Sequence, residues 1–362
     1  TVFVVHVAHV FSPWQYWHIQ DADRPVWAGQ LSLFAWPWVM PLFMALAGAG
    51  AFFSLGKRSD RTFLRERTLR LVIPFVLGTL ILIPPQIYVE RLTQGRFEGG
   101  YLAFLPTFFE CCYPENNLAA GHLWFIAYLY VYSVAALPLL RRLSGPGGRP
   151  FLDAVAKVCA APGGILWLAV PVIATQVALR GFFPQTHAFY NDWANHAILF
   201  LGFLYGFLLA ADARMLNALD RQWRRAAVPA AVLSLALAWY AVAWTPPGTL
   251  PDAWTGIYFA FWTAFGAAGW FWIVTLVGLA RRHLDTTHGV LRYASHRVYP
   301  IYLAHQTAIV VVAYFVVQWP LGPVAKFAVL TVLALAATLL VAEPMRLLMP
   351  AKRAAPGVSA AR

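Results

Sequence analysis

Residues 298–317 read VYPIYLAHQTAIVVVAYFVV, a run without Asp, Glu, Lys or Arg and with one histidine, His305. A bilayer's hydrocarbon core takes roughly 20 mostly apolar residues of helix, so this run predicts a membrane span. Stretches of the same kind lie at about 1–17, 30–55, 70–89, 121–140, 164–180, 195–211, 226–244, 256–280 and 321–348, and the quoted run itself extends over 297–318. Several contain Pro or Gly, which neighbouring helices make tolerable in a membrane. The 362 residues are 60% hydrophobic and only 12% charged, against about 25% charged in a soluble domain. No soluble domain fits between the stretches. The expected fold is all-α, a polytopic integral membrane protein of about ten transmembrane helices, in one domain over 1–350 with a short tail at 351–362.

Charge placement orients these helices. Of the 27 Lys and Arg, all but Arg24, Arg91, Arg96, Arg180 and Lys326 fall in alternate connections or after the last stretch; the densest is KRSDRTFLRERTLR at 57–70. Basic residues mark the cytoplasmic loops, so both termini are expected in the cytoplasm. The net charge of +12 is thereby accounted for, and nucleic acid is not an expected partner. Trp14, Trp17, Trp36, Trp38, Trp244 and Trp254 sit near segment ends, as aromatic belts do. On the opposite side the longest connection is about 90–120, where Glu90, Glu98, Glu110 and Glu115 outnumber Arg91 and Arg96. A loop of this length is often functional, and it is expected to tune the choice of an external substrate. Cys111, Cys112 and Cys159 form neither a disulfide framework nor a zinc set. No cleavable signal peptide is legible; the chain starts at Thr1 inside an apolar run, so the first helix reads as truncated.

The remaining signal is histidine inside apolar runs: His6 and His9 in TVFVVHVAHVF, His122 at the start of HLWFIAYLYVYSVAALPLL, His196 at the start of HAILFLGFLYGFLLA, and His305. Ionisable groups in a bilayer are costly and mark functional sites by default; the bland alternative is a neutral imidazole bonded to a neighbouring helix. Walker, GxGxxG and HExxH motifs are absent. No helix carries the two histidines, some fourteen residues apart, of a two-haem bundle, and the two halves show no repeat of a secondary transporter.

Several segments in order carry a resemblance. HVAHVFSPWQYWHIQD, WPWVMPLFMALAGAGAFFSL and RTFLRERTLRLVIPFVLGTLILIPPQIYVERL resemble the first three helices of the membrane-bound acyltransferase-3 family, nearest its branch described as glucans biosynthesis protein C. GHLWFIAYLYVYS resembles its HLWFL helix, SHRVYPIYLAHQ its late YPIYLLH segment, and VAEPMRLL its closing Glu-Pro helix. The resemblance implies a transferase that moves an acyl group, acetyl or succinyl, from cytoplasmic acyl-CoA to a hydroxyl of an extracytoplasmic glycan or similar acceptor. It implies a bacterial cytoplasmic (inner) membrane location and no metal. The family's hallmark Arg precedes a helix-1 His by ten residues; His6 matches the His, and the Arg falls before Thr1.

Acyl transfer to a hydroxyl needs a base for the acceptor proton and donors for the oxyanion. On that chemistry His6 is the expected base or transient acyl carrier. His305 is the second candidate, as proton relay or oxyanion donor. Tyr302, one turn before it, is a further donor, and His122 stands where an acceptor arrives. Arg67 and Arg70, with Arg65, are expected to hold the coenzyme A phosphates. Glu343 is expected to pair with a nearby Arg. The alternative function is a transporter or flippase of an amphiphile, using the same cavity without covalent chemistry.

Overall fold

The computed structural model describes residues 2–243, 248–284 and 289–348. The tail expected at 351–362, and Trp244, lie outside them. Regular structure among the described residues is helical, with no strand.

Each of the ten apolar stretches forms helix, but not each forms a full span. Among the described residues, seven continuous helical segments are long and apolar enough to cross a bilayer: Val26–Leu55, Asp60–Thr93, Trp193–Ala211, Ala213–Ala243, Gly256–His283, Arg297–Val316 and Pro323–Leu347. The pair Gly121–Ala135 and Leu137–Ser144 makes an eighth, bent by 55°; Pro138 lies at the start of its second half, and proline removes a helical hydrogen bond. The expected first span is α1, Val2–Val10. Ser12 and Pro13 cannot prolong it, and Asp21 N–H caps the Val10 carbonyl at 2.8 Å. The stretch at 164–180 gives the shorter Gly164–Leu179, started by Gly163 at φ 77°, a left-handed turn that glycine adopts freely.

We number the helices that position the site. After α1 come α2 (Val26–Ala35), α3 (Val39–Leu55), α4 (Asp60–Arg67), α5 (Ile73–Ile81) and α6 (Pro84–Thr93). A π-helical turn, Thr68–Val72, joins α4 to α5. Then follow α7 (Trp124–Ala135), α8 (Leu137–Ser144), α9 (Arg149–Ala160), α10 (Ala169–Leu179), α11 (Trp193–Ala211), α12 (Ala213–Ala243), α13 (Gly256–His283), α14 (Gly289–Val316) and α15 (Pro323–Leu348).

Small residues bring α3 against α11. A Cβ on Gly206 would stand 1.7 Å from the Ala45 carbonyl oxygen, and one on Gly48 1.8 Å from that of Phe203. Gly202 and Gly206 are four apart and face α3 together, as small residues do where membrane helices touch. Gly206→Val is therefore expected to cost more than the ~1–3 kcal/mol of ordinary overpacking, because the clash is with backbone. The thermal midpoint in detergent checks it; an unchanged midpoint would refute the contact.

Ion pairs distinguish the two ends of the bundle. At the basic end Arg141 reaches Asp60 at 2.5 Å and the Leu55 and Arg58 carbonyls, Arg281 binds Asp220 at 2.7 Å, and Glu343 binds Arg297 and Arg346. At the other end Lys326, 6% exposed, donates to the buried Asp21 at 2.7 Å and to the Val317 carbonyl at 2.8 Å. That pair pins the 12–25 connection over the start of α15. Cys111 and Cys112 are joined to each other, so they cross-link nothing else, and Cys159 is free and buried.

Candidate active site

A cavity of about 990 Å³ lies at the end away from the arginine-rich loops. Its floor comes from α1, α2, α3, α7 and α14, and its rim from residues 12–18, 113–121, 184–189 and 248–250. Its walls are largely aromatic, with Trp14, Trp17, Trp36, Trp124, Tyr128 and Phe189.

His6 lines this cavity and pairs with His305 across 299 residues of chain, Nδ1 to Nε2 at 2.8 Å. His305 is 2% exposed, and its Nδ1 lies 2.6 Å from the Tyr302 carbonyl oxygen. A carbonyl only accepts, so His305 Nδ1 carries the hydrogen. A neutral imidazole has one donor and one acceptor nitrogen. His305 Nε2 therefore accepts from His6 Nδ1–H, and His6 is left with Nε2 as its acceptor nitrogen. His9, one turn on, sits 5.6 Å from His6 between ring centroids and reaches Ser32 Oγ at 3.3 Å. Trp17 stacks near His6 with ring planes 12° apart.

His122 lines the same cavity. It is buried and donates through Nε2 to the Leu303 carbonyl at 3.0 Å; its Nδ1 has no protein partner. Its ring meets that of His305 edge-on at 5.2 Å. Tyr302 donates its hydroxyl to the His122 carbonyl at 2.6 Å. His6, His305, His122 and Tyr302 are thus gathered in one place, but the hydrogens of His305 Nδ1, His122 Nε2 and Tyr302 are engaged by backbone carbonyls. None of the three points a free donor at a substrate oxygen.

Sequence reasoning passed over a second group on the same cavity. His18 Nδ1 lies 2.5 Å from Glu90 Oε2, and His18 Nε2 lies 3.1 Å from the side-chain nitrogen of Gln306, which also donates to Gln86 at 3.0 Å. Glu90 is 1% exposed and accepts further from Tyr113, Gln94 and Arg91. Burial and the Glu90 carboxylate push the Tyr113 phenol well above its usual range, so its hydroxyl keeps its hydrogen and donates. Arg91 donates in addition to Asn117 Oδ1 at 2.8 Å and to the Pro114 and Asn116 carbonyls at 2.9 and 2.5 Å, fastening the 94–120 segment over the site. The sequence signal for this group was an acid between apolar residues, IYVERL, and the His-Gln pair at 305–306.

The expected phosphate-binding arginines lie elsewhere. Arg65, Arg67 and Arg70 stand at the basic end, around the π turn, and none lines the cavity. Arg67 lies over the Phe63 ring at 5.0 Å, and the Arg70 carbonyl accepts from Tyr299 at 2.7 Å. No carboxylate among the described residues forms an ion pair with any of the three, whereas neighbouring Arg58 takes Glu66 at 3.1 Å. No group of three or more His, Cys, Asp and Glu among the described residues forms a metal cluster.

The all-helical bundle thus places a histidine cluster under an aromatic vestibule. Residues 1–343 match the family model described as an acyltransferase domain, Acyl_transf_3; the chain belongs to that family and is a membrane acyltransferase. No curated protein and no solved structure matches it significantly.

Proposed function

We propose that this protein moves an acyl group, acetyl or succinyl, from acyl-CoA at the basic, cytoplasmic end to a hydroxyl of an extracytoplasmic glycan bound in the aromatic cavity, as in the glucans biosynthesis protein C branch of its family. In this reading the helical bundle lies in a bacterial inner membrane with both termini inside, in line with the basic loops. The observation that carries it is the His6–His305 pair, which leaves an acceptor nitrogen on a histidine lining the cavity. His6 Nε2 takes the acceptor's hydroxyl proton as that oxygen bonds the thioester carbonyl carbon. The carbon–sulfur bond breaks, and the sulfur leaves with the proton as the coenzyme A thiol. His305 is a positioning residue that fixes the His6 tautomer, as the orienting partner of a catalytic base does. The flat aromatic walls suit sugar-ring faces, and the histidine, glutamine, serine and threonine side chains among them can bond hydroxyls.

The test is saturable binding and hydrolysis of acetyl- and succinyl-coenzyme A by purified protein in detergent. Binding with His6-dependent thioester loss supports the reading. Binding of neither donor would favour a transporter of amphiphiles. Arg67 and Arg70, in no ion pair with a carboxylate among the described residues, are proposed to hold the coenzyme A phosphates. Arg67→Gln or Arg70→Gln is expected to raise the donor KM about tenfold with kcat unchanged, as loss of a charged hydrogen bond does. An unchanged KM would return both to orienting the helix in the membrane.

A further inference from the structure

A second space of about 30 Å³ adjoins the main cavity and shares Trp36, Met40, Trp124 and Gln185 with it. Arg180, at the end of α10, forms part of its wall and is 8% exposed. Its guanidinium has neutral partners: Nε donates to Gln176 Oε1 at 2.8 Å and Nη2 to Asn195 Oδ1 at 2.5 Å. Nη1 is buried without a protein partner, and so is the side-chain nitrogen of Gln176. The neighbouring acid, Asp192, accepts from Tyr128 at 2.9 Å, from Asn195 at 3.0 Å and from the Thr186 amide at 3.2 Å. It bonds Arg180 only through Asn195.

A buried guanidinium with an unused N–H lacks an acceptor. The space exceeds the roughly 10–15 Å³ that one water needs. Water supplies an oxygen without charge; a carboxylate supplies two oxygens and a compensating charge in the planar geometry a guanidinium matches.

We propose that Arg180 anchors a carboxylate subsite: a substrate whose reacting end lies at His6 carries a free carboxylate that enters this space. The inference rests on the acyltransferase reading of the main cavity. The carboxylate belongs either to an acyl group that is half of a dicarboxylic acid, or to an acidic sugar of the acceptor.

Equilibrium dialysis on the whole protein in detergent separates these sources, using wild type, Arg180→Gln and Arg180→Lys. One arm compares succinyl- with acetyl-coenzyme A; the other compares a glucuronate-bearing oligosaccharide with its neutral counterpart. The wild type is expected to favour the carboxylate-bearing member of one pair by about tenfold or more. Arg180→Gln removes that preference and leaves the uncharged member's affinity within about twofold, while Arg180→Lys, which keeps the charge but not the fork, retains part of it. The arm in which the preference appears names the source. Lack of preference in both arms, or equal weakening of both members in Arg180→Gln, would overturn the subsite and leave a water-filled or purely structural space. His6-dependent thioester loss without a carboxylate preference would defeat the subsite alone. Failure of both donors to bind, with the acidic sugar still favoured, would defeat the acyl-CoA reading alone.

Discussion

His6→Ala is expected to lower acyl transfer by about 10²–10⁴-fold, the usual contribution of a positioned general base, with donor binding nearly unchanged. The side chain lines the cavity and its Nδ1 is held by His305, so truncation removes the acceptor nitrogen along with that one bond to α14. Loss of kcat with the donor's affinity retained is the signature of a group acting in the transition state. Full turnover by the alanine variant would remove His6 from the chemistry. The partner gives a second reading. His305→Ala frees the His6 ring to rotate and should reduce kcat, whereas His305→Gln places an amide oxygen where Nε2 stood and should restore part of it. A residue that only fills space would show no difference between the two.

Lys326→Ala is expected to destabilise the protein by about 3–5 kcal/mol, the cost of leaving a buried charge unpaired. Asp21 is 2% exposed, and the Asp23 amide donates to its other carboxylate oxygen at 2.9 Å; those oxygens have no water to turn to. The double variant Lys326→Met with Asp21→Asn should recover most of the loss, since neutral partners of similar size often replace a buried pair at little cost. Thermal midpoints of the two variants in detergent decide it. Equal midpoints for Lys326→Ala and wild type would mean that the pair is not what holds the 12–25 connection down.

The helices were legible because apolar length is a local property. Each of the ten stretches became helix, and the departures from straight, full-length helices lie where one residue alters local geometry: Gly163 before the shorter 164–179 segment and Pro138 in the bent one. The site was legible in its membership and not in its roles. His6, His122, Tyr302 and His305 stand out as polar residues in apolar runs, and they do meet. Which partner takes each hydrogen depends on helix–helix placement, which spacing along one helix does not encode. His18 was unreadable for a related reason. It lies in a connection rich in Trp and Gln, and its value comes from Glu90, 72 residues away. Arg180 read as one of a few basic residues on the sparsely charged side; only its unmatched N–H in three dimensions distinguishes it.

Arg91 carries a consequence for chimeras of the 90–120 connection. Its guanidinium grips Asn117 and the carbonyls of Pro114 and Asn116, while its neighbour Glu90 anchors His18 and Tyr113. Latch and keeper thus sit at opposite ends of one segment, so chimeras spliced between residues 92 and 113 would inherit mismatched halves. The transplantable cassette is 90–117, moved whole together with His18, the partner of Glu90 that lies outside it.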